Sequence, residues 1–315
     1  MTGLADLSYA LVLSAMAVYA CAMLAFASSV AMAPRAVAPA APGGSAGAVL
    51  EAEREPEPDG RSDRLTRIGV SLLGLAFLLH LGAVGSRALA VGRAPWGNLY
   101  EFVLTMALAA AGAYLLLLLR GHSVAFLGVV VAPSVLLALG VCITVLYVQP
   151  GDLVPALKSY WLIIHVAVAI VSSGALYAGA ALSVLVLLRD RLAGDGAADR
   201  RAVRRWVAQL PDTASLNRLA HRVHTFAFPL WTFAVISGAI WAERAWGRYW
   251  GWDAKEVWAF VTWVVYAAYL HAQSTAGWRG RPAAVLALVG FACFLFNLLG
   301  VNFLFTSFHT YAGLE

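Results

Sequence analysis

The chain has 315 residues, of which 61% are hydrophobic and only 12% charged, with a mean hydropathy of +0.76. That leaves too little polar surface to cover a soluble globule and excludes the ordinary soluble enzymes and binding modules. The net charge of +5 is spread over loops with no clustered aromatic face, so it reports membrane orientation and excludes nucleic acid as a partner.

A membrane-spanning helix needs about 20 mostly apolar residues. In chain order the candidates are roughly 8–33, 67–91, 101–119, 124–147, 160–188, 223–244, 255–273 and 283–306. They predict an all-α, polytopic membrane bundle of about eight transmembrane helices. Residues 1–33 supply the first: no Lys or Arg precedes its apolar run, so it reads as a retained span and not as a signal peptide. Residues 34–66 mix Pro, Gly and Ala with Glu and Arg, the composition of a flexible cytoplasmic linker. Residues 67–315 form the seven-helix core. Within it, 189–222 carries a short basic stretch with Trp206, Val207 and Leu210 interspersed, suited to the inner membrane surface.

Orientation follows from the Lys and Arg residues, which cytoplasmic loops carry in excess. Arg35, Arg54, Arg61, Arg64 and Arg67 fall after the first span, and Arg189, Arg191, Arg200, Arg201, Arg204, Arg205, Arg218 and Arg222 after the fifth. Arg120, Arg279 and Arg281 fall on the same side. With eight spans both termini lie outside, together with the loops around Trp96 and Trp246. The three cysteines, Cys21, Cys142 and Cys293, sit singly in separate spans and form no CxxC pair, which argues against a thiol-disulfide carrier. CxxCH is absent, so any haem held here is not covalently attached in the manner of a c-type cytochrome.

The external loop at 245–258 concentrates the chemistry. Together with Trp241 and the helix that follows, it places Trp246, Trp250, Trp252, Trp258 and Trp263 within 23 residues, more than half of the chain's 11 Trp. An interfacial aromatic belt would scatter them among many helix ends. Indole faces separated by glycines suit a planar apolar macrocycle, with Gly247 and Gly251 allowing close approach and Lys255 and Arg248 available to its charged edge. Asp253 and Glu256 stand in D-x-x-E order before an apolar helix, which a capping box explains without excluding a site role.

The histidines decide the rest. His165 lies about five residues into the fifth span from its external end, and His309 a few residues beyond the external end of the last, so both sit at the depth of the Trp loop. Two neutral imidazoles fill both axial positions of a haem iron and hold it without covalent bonds. His80 falls mid-span. His271 closes the seventh span, roughly 27 Å from Asp253 at 1.5 Å per residue, which puts it near the cytoplasmic side. His122, His221 and His224 fall at cytoplasmic helix ends and read as headgroup or dipole contacts.

The run WGRYWGWDAKEVWAFVTW at 246–263, followed by YAAYLH, resembles the WWD motif of haem-handling proteins, in the form carried by the CcsA (ResC) family and not by the CcmC or CcmF branches. PWGNLYEF at 95–102 and GVNFLFTSFHTYA at 300–312 agree with the same family; Ala254 departs from it, since a Pro usually follows the Asp. The resemblance covers the core from about residue 67 onward. It implies system II cytochrome c biogenesis: handling of non-covalent haem b, its iron reduced to iron(II), for attachment to the CxxCH of apocytochrome c at the extracytoplasmic face of the plasma (inner) membrane. It further implies that the chain is one subunit of a haem lyase complex, working with a ResB-type membrane protein and a thiol-reducing system. His165 and His309 map onto the axial ligands of the external haem, and Trp246, Trp250, Trp252, Asp253 and Trp258 onto its binding loop. His271 maps onto an inner haem site completed either by His80 or by the ResB-type partner. The competing readings are a haem exporter that hands haem to a chaperone, an ion-coupled transporter, for which Glu101 at a membrane boundary is the nearest carboxylate, and a membrane cytochrome that passes electrons.

Overall fold

The computed structural model describes residues 2–32, 60–122, 124–151, 157–194, 201–208, 210–306 and 308. Its elements are α1 (Thr2–Ala31), α2 (Gly60–Val91), α3 (Leu99–Leu119), a 3-10 turn (Ala125–Leu127), α4 (Gly128–Thr144), α5 (Tyr160–Gly194), α6 (Arg201–Ala208), α7 (Thr213–Trp246), α8 (Ala254–Ser274), α9 (Arg281–Leu295), a π-helical turn (Phe296–Gly300) and α10 (Val301–Leu304). No strand occurs among the described residues, and the all-α bundle stands. Seven helices are long and apolar enough to cross a membrane: α1, α2, α3, α4 with its 3-10 turn, α5, α7, and α9 continued through α10. The chain is a multi-pass membrane protein. The remaining expected span, 255–273, forms α8, a 21-residue helix. Its Lys, Glu, His, Trp and Tyr residues keep it below the apolarity of the other seven.

Two long helix pairs frame the bundle. α1 lies against α2 and α5 against α7; α3 bridges the halves by touching α2, α4 and α5, while α9 packs on α5 and α8. In a membrane, helices associate through close packing more than through hydrophobic exclusion. Small residues accordingly mark the crossings. A Cβ at Gly174 of α5 would fall 2.9 Å from the Ala109 carbonyl oxygen of α3, and Phe26 of α1 sits against Gly69 of α2 and Gly128 of α4. Ser8 Oγ donates to the Ala83 carbonyl (2.7 Å) and Ser62 Oγ to the Ser29 carbonyl (3.0 Å), tying α1 to α2 at both ends.

Two helix starts differ most from the sequence reading. Helix α2 starts at Gly60, seven residues earlier than the expected span, because Asp63 occupies its first turn and Ser62 is buried against α1. The rest of the expected linker, residues 34–59, lies outside the described residues. Helix α7 starts at Thr213 and not near 223, because Asp212 caps it by accepting a hydrogen bond from the Ser215 amide (2.7 Å). His224 is therefore three turns inside a helix. It is buried between α5 and α8, against Gly179, Tyr266 and Tyr269, and not at a surface helix end as its position in the sequence suggested. Short α6 is held by Arg189 of α5, whose Nη1 donates to the carbonyls of Val207 (2.8 Å) and Leu210.

Candidate functional site: an aromatic groove at one end of the bundle

The N-terminal turns of α3, α5 and α8 and the C-terminal turns of α7 enclose a groove with about 1240 Å³ of empty space, its open mouth included. Its walls are mostly apolar: Trp96, Phe102, Trp231, Trp241, Trp246 and Trp250 supply aromatic surface. On α5 it is lined by Leu162, His165, Val166, Ala169 and Ser173; the rise from His165 to Ser173 alone carries it roughly 12 Å along the helix.

His165 is positioned by the pairing of α5 with α7. Its Nδ1 donates to the Ala234 carbonyl (2.7 Å), and Ser237 Oγ donates to the same oxygen (3.1 Å). A carbonyl accepts only, so Nδ1 carries the proton and the lone pair is on Nε2, the form in which a neutral imidazole ligates a metal. Such a bond from the second ring nitrogen is the usual way a ligating histidine is oriented. One face of the ring stacks on Trp241 (centroids 6.3 Å apart, planes at 7°), and Gly238 leaves the space the ring occupies, since a Cβ there would lie 2.8 Å from His165 Cε1 and Nδ1.

Aromatic contacts lead from His165 to the C-terminal segment. Trp241 meets Trp246 edge-on (4.8 Å), Trp246 packs on Phe308 (5.5 Å), and the Arg248 guanidinium lies over the Phe308 ring (4.4 Å). Phe308 is the chain neighbour of His309, which itself lies outside the described residues.

The Trp loop owes its shape to local chemistry. Gly247 ends α7 in the left-handed conformation (φ 71°), as helix-terminating glycines commonly do. Asp253 and Glu256 close the capping box at the start of α8, and Glu256 Oε2 accepts from the amides of Gly251 (2.8 Å) and Asp253 (3.0 Å). Gly251 packs against the Arg248 guanidinium, so its lack of a side chain serves that contact. Trp252 is the one described non-glycine residue with positive φ (58°); it stands 70% exposed, with Trp250 edge-on at 5.8 Å. The π-helical turn widens the helix ladder opposite, and Lys255 Nζ donates to the Asn297 carbonyl there (2.9 Å). Lys255, Glu256, Asn297 and Asn302 form the groove's polar wall.

Of the residues the sequence singled out, His165, Trp246 and Trp250 line this groove together. Trp252 and Asp253 belong to its rim loop without lining it, and Trp258 packs on Phe296 (4.3 Å) behind it. His80 does not line it: fully buried, its Nε2 is 3.0 Å from the Leu104 carbonyl and its ring edge-on to Tyr19. His271 is exposed in the last turn of α8. Neither lines the groove. Gly238, Ala234 and Trp231 went unread in the sequence; Trp96 reads as part of an external loop, within PWGNLYEF, but not as a site residue. Glu101, a candidate coupling carboxylate in the sequence, is instead locked by Arg87 Nε (2.9 Å) and Arg93 Nη1 (2.7 Å), which takes it away from a transport role. Among the described residues no three His, Cys, Asp or Glu side chains converge as a metal-ion cage.

Fold and groove together define a polytopic membrane helix bundle with an aromatic, histidine-bearing cleft at one end. Residues 96–309 match the family described as cytochrome C assembly protein. The cytochrome c biogenesis protein CcsA of Synechococcus elongatus is 37% identical over 289 aligned residues, spanning 78% of this chain and 88% of its own. Its counterpart in Gloeothece citriformis is 33% identical over 294, with the same coverage, and that of Prochlorococcus marinus is 41% identical over 179, spanning 51% of this chain and 57% of its own. The chain belongs to the CcsA family of cytochrome c assembly proteins.

Proposed function

We propose that this chain holds haem in the groove, at the extracytoplasmic face of the plasma membrane, and presents it for covalent attachment to the CxxCH of apocytochrome c. Family membership supports a role in cytochrome c biogenesis; the finer reading rests on the groove. The observation that carries it is the hydrogen bond from His165 Nδ1 to the Ala234 carbonyl within an aromatic cleft. The residues present fit the cargo: flat indole walls for a planar macrocycle, an imidazole in ligating form, and a polar wall of Lys255 and Asn297 for a charged edge.

In this reading His165 and His309 take the two axial positions of haem b, with iron(II) needed for attachment. Bound haem supplies the vinyl groups to which the cysteine thiols add. The chain's own part is to orient the macrocycle between Trp246, Trp250 and Trp241 and to exclude water around His165. It acts by positioning, since the acceptor supplies the thiols. His271, exposed in the last turn of α8, is free to meet an imidazole of a ResB-type partner at an inner haem position; His80, enclosed by Tyr19 and Leu104, is a packing residue in this scheme. A thiol-reducing system keeps the acceptor cysteines ready, and the chain works as one subunit of a haem lyase complex.

The test is reconstitution in cells lacking their own cytochrome c assembly system, expressing this chain, a ResB-type partner and a secreted CxxCH acceptor. Covalently haem-stained acceptor is expected with the wild-type chain and its loss with His165→Gly. Equal staining with His165→Gly would contradict the reading.

A further inference from the structure

Behind the groove wall formed by Trp96, Gly97, Asn98 and Leu99 lies a charged cluster that packing alone does not require. Glu101, in the first turn of α3, is 0% exposed and Arg87 of α2 only 1%. The carboxylate accepts from Arg87 Nε (2.9 Å) on Oε1 and from Arg93 Nη1 (2.7 Å) and the Gly97 amide (2.8 Å) on Oε2. Arg87 also donates to the Val148 carbonyl (2.8 Å) and lies over the Tyr100 ring (5.1 Å), while Arg93 donates to the Ala94 carbonyl (3.0 Å). Two guanidinium groups share one carboxylate, so the cluster carries a net charge of +1. The Gly97 amide, one hydrogen bond from that carboxylate, is part of the groove wall.

A net charge buried at the outer end of a membrane bundle is only weakly screened by solvent ions, and its field reaches several ångströms through a low-dielectric medium. Reducing ferric to ferrous haem adds one negative charge to whatever the groove holds. A fixed positive charge in the wall stabilises the reduced form, as net charge and burial set the potentials of protein-bound iron generally.

We propose that the Arg87–Glu101–Arg93 triad is an electrostatic element that raises the reduction potential of haem bound at His165 and so keeps its iron ferrous for thioether formation. This rests on the haem-holding reading of the groove. The three are positioning residues with an electrical role: none of them lines the groove.

A mere staple between α2, α3 and the following loop predicts a different pattern from a charge. Loss of either partner of a staple loosens the same wall and moves the potential the same way, whereas a charge moves it in opposite directions. The experiment is a redox titration, followed by visible absorption, of detergent-purified protein loaded with haem, for wild type, Glu101→Gln, Arg93→Gln and Arg93→Lys. Glu101→Gln takes the triad to +2 and should shift the midpoint upward; Arg93→Gln takes it to zero and should shift it downward; Arg93→Lys should restore the wild-type value. If Glu101→Gln fails to fold, the Arg93 pair still decides, because Arg93 is the most exposed of the three and Gln keeps a donor for Glu101. Shifts of the same sign, or an unchanged midpoint in Arg93→Gln, overturn the proposal. Absence of a His165-dependent haem spectrum in the wild type would instead overturn the functional reading beneath it.

Discussion

At Gly238 a methyl group would come within 2.8 Å of two atoms of the His165 ring, closer than carbon atoms pack. The ring would have to leave the Ala234 carbonyl, and the tautomer with it. Gly238→Ala should therefore lose most of the haem absorbance that depends on His165, and the double variant with His165→Gly should be no worse than His165→Gly alone. Additive losses, measured as haem bound per protein, would show that the two residues act separately. Trp252 offers a second test at this scale. An L-residue in the left-handed region carries a cost of about 1–2 kcal/mol that glycine does not, and exposed Trp252 recovers little of it by packing. Trp252→Gly should raise the thermal midpoint of the detergent-solubilised protein while lowering attachment to the acceptor. A lower midpoint would mean that the indole stabilises the fold and is not held there for function.

At the scale of the element, the two helices that frame the Trp loop owe their ends to readable sequence. D-x-x-E at 253–256 gives the capping box of α8, and Gly247 the stop of α7. The start of α7 was misread because an apolar-span criterion ignores the polar turns 213–222; the cap at Asp212 marks it instead. Hydrogen bonds from the Ser215 hydroxyl and amide hold the Asp212 carboxyl below the usual carboxylate range. Its folded value is depressed, so the stability it contributes is present at neutral pH and is lost as pH falls through that depressed value. Asp212→Asn should keep the cap and flatten the acid side of the stability profile, read as thermal midpoint between neutral and acidic pH. An unchanged acid limb would assign the pH dependence to other groups. The pairing of α5 with α7 was not readable in this way. His165 meets residues 234 and 238 some 70 positions away, and nothing local to either segment announces the match. Glu101 was visible as a carboxylate at a membrane boundary, but its ion pairs with Arg87 and Arg93 form only when α2, α3 and the turn between them are folded.

For the molecule as a whole, seven helices satisfy the length and apolarity of a span while α8 does not. The excess of Lys and Arg on one side predicts that α8 crosses as well, since the loop before it carries the Trp groove and the loop after it carries Arg279 and Arg281. Eight crossings put both termini on one side, and the distribution of Lys and Arg predicts that this side is the outside. Labelling with a membrane-impermeant maleimide distinguishes the cases. Tyr249→Cys, in the exposed Trp loop, should react in intact cells, and Trp278→Cys, exposed after α8, only after permeabilisation. Reaction of both in intact cells would mean that α8 returns without crossing. The class of the molecule was legible because composition and span periodicity are global properties, and the Trp loop because its residues are contiguous. What stayed hidden were the small residues and carbonyls that other helices bring to the groove.

The central claim is that His165 and His309 hold haem at the external end of this bundle. The measurement that tests it most directly is the visible absorption spectrum of the detergent-purified protein beside His165→Gly and His309→Gly, each with and without added imidazole. A reduced six-coordinate spectrum that is lost in either variant and returns with imidazole is the predicted result. Unchanged haem in both variants would contradict the account and move the cargo away from the Trp groove.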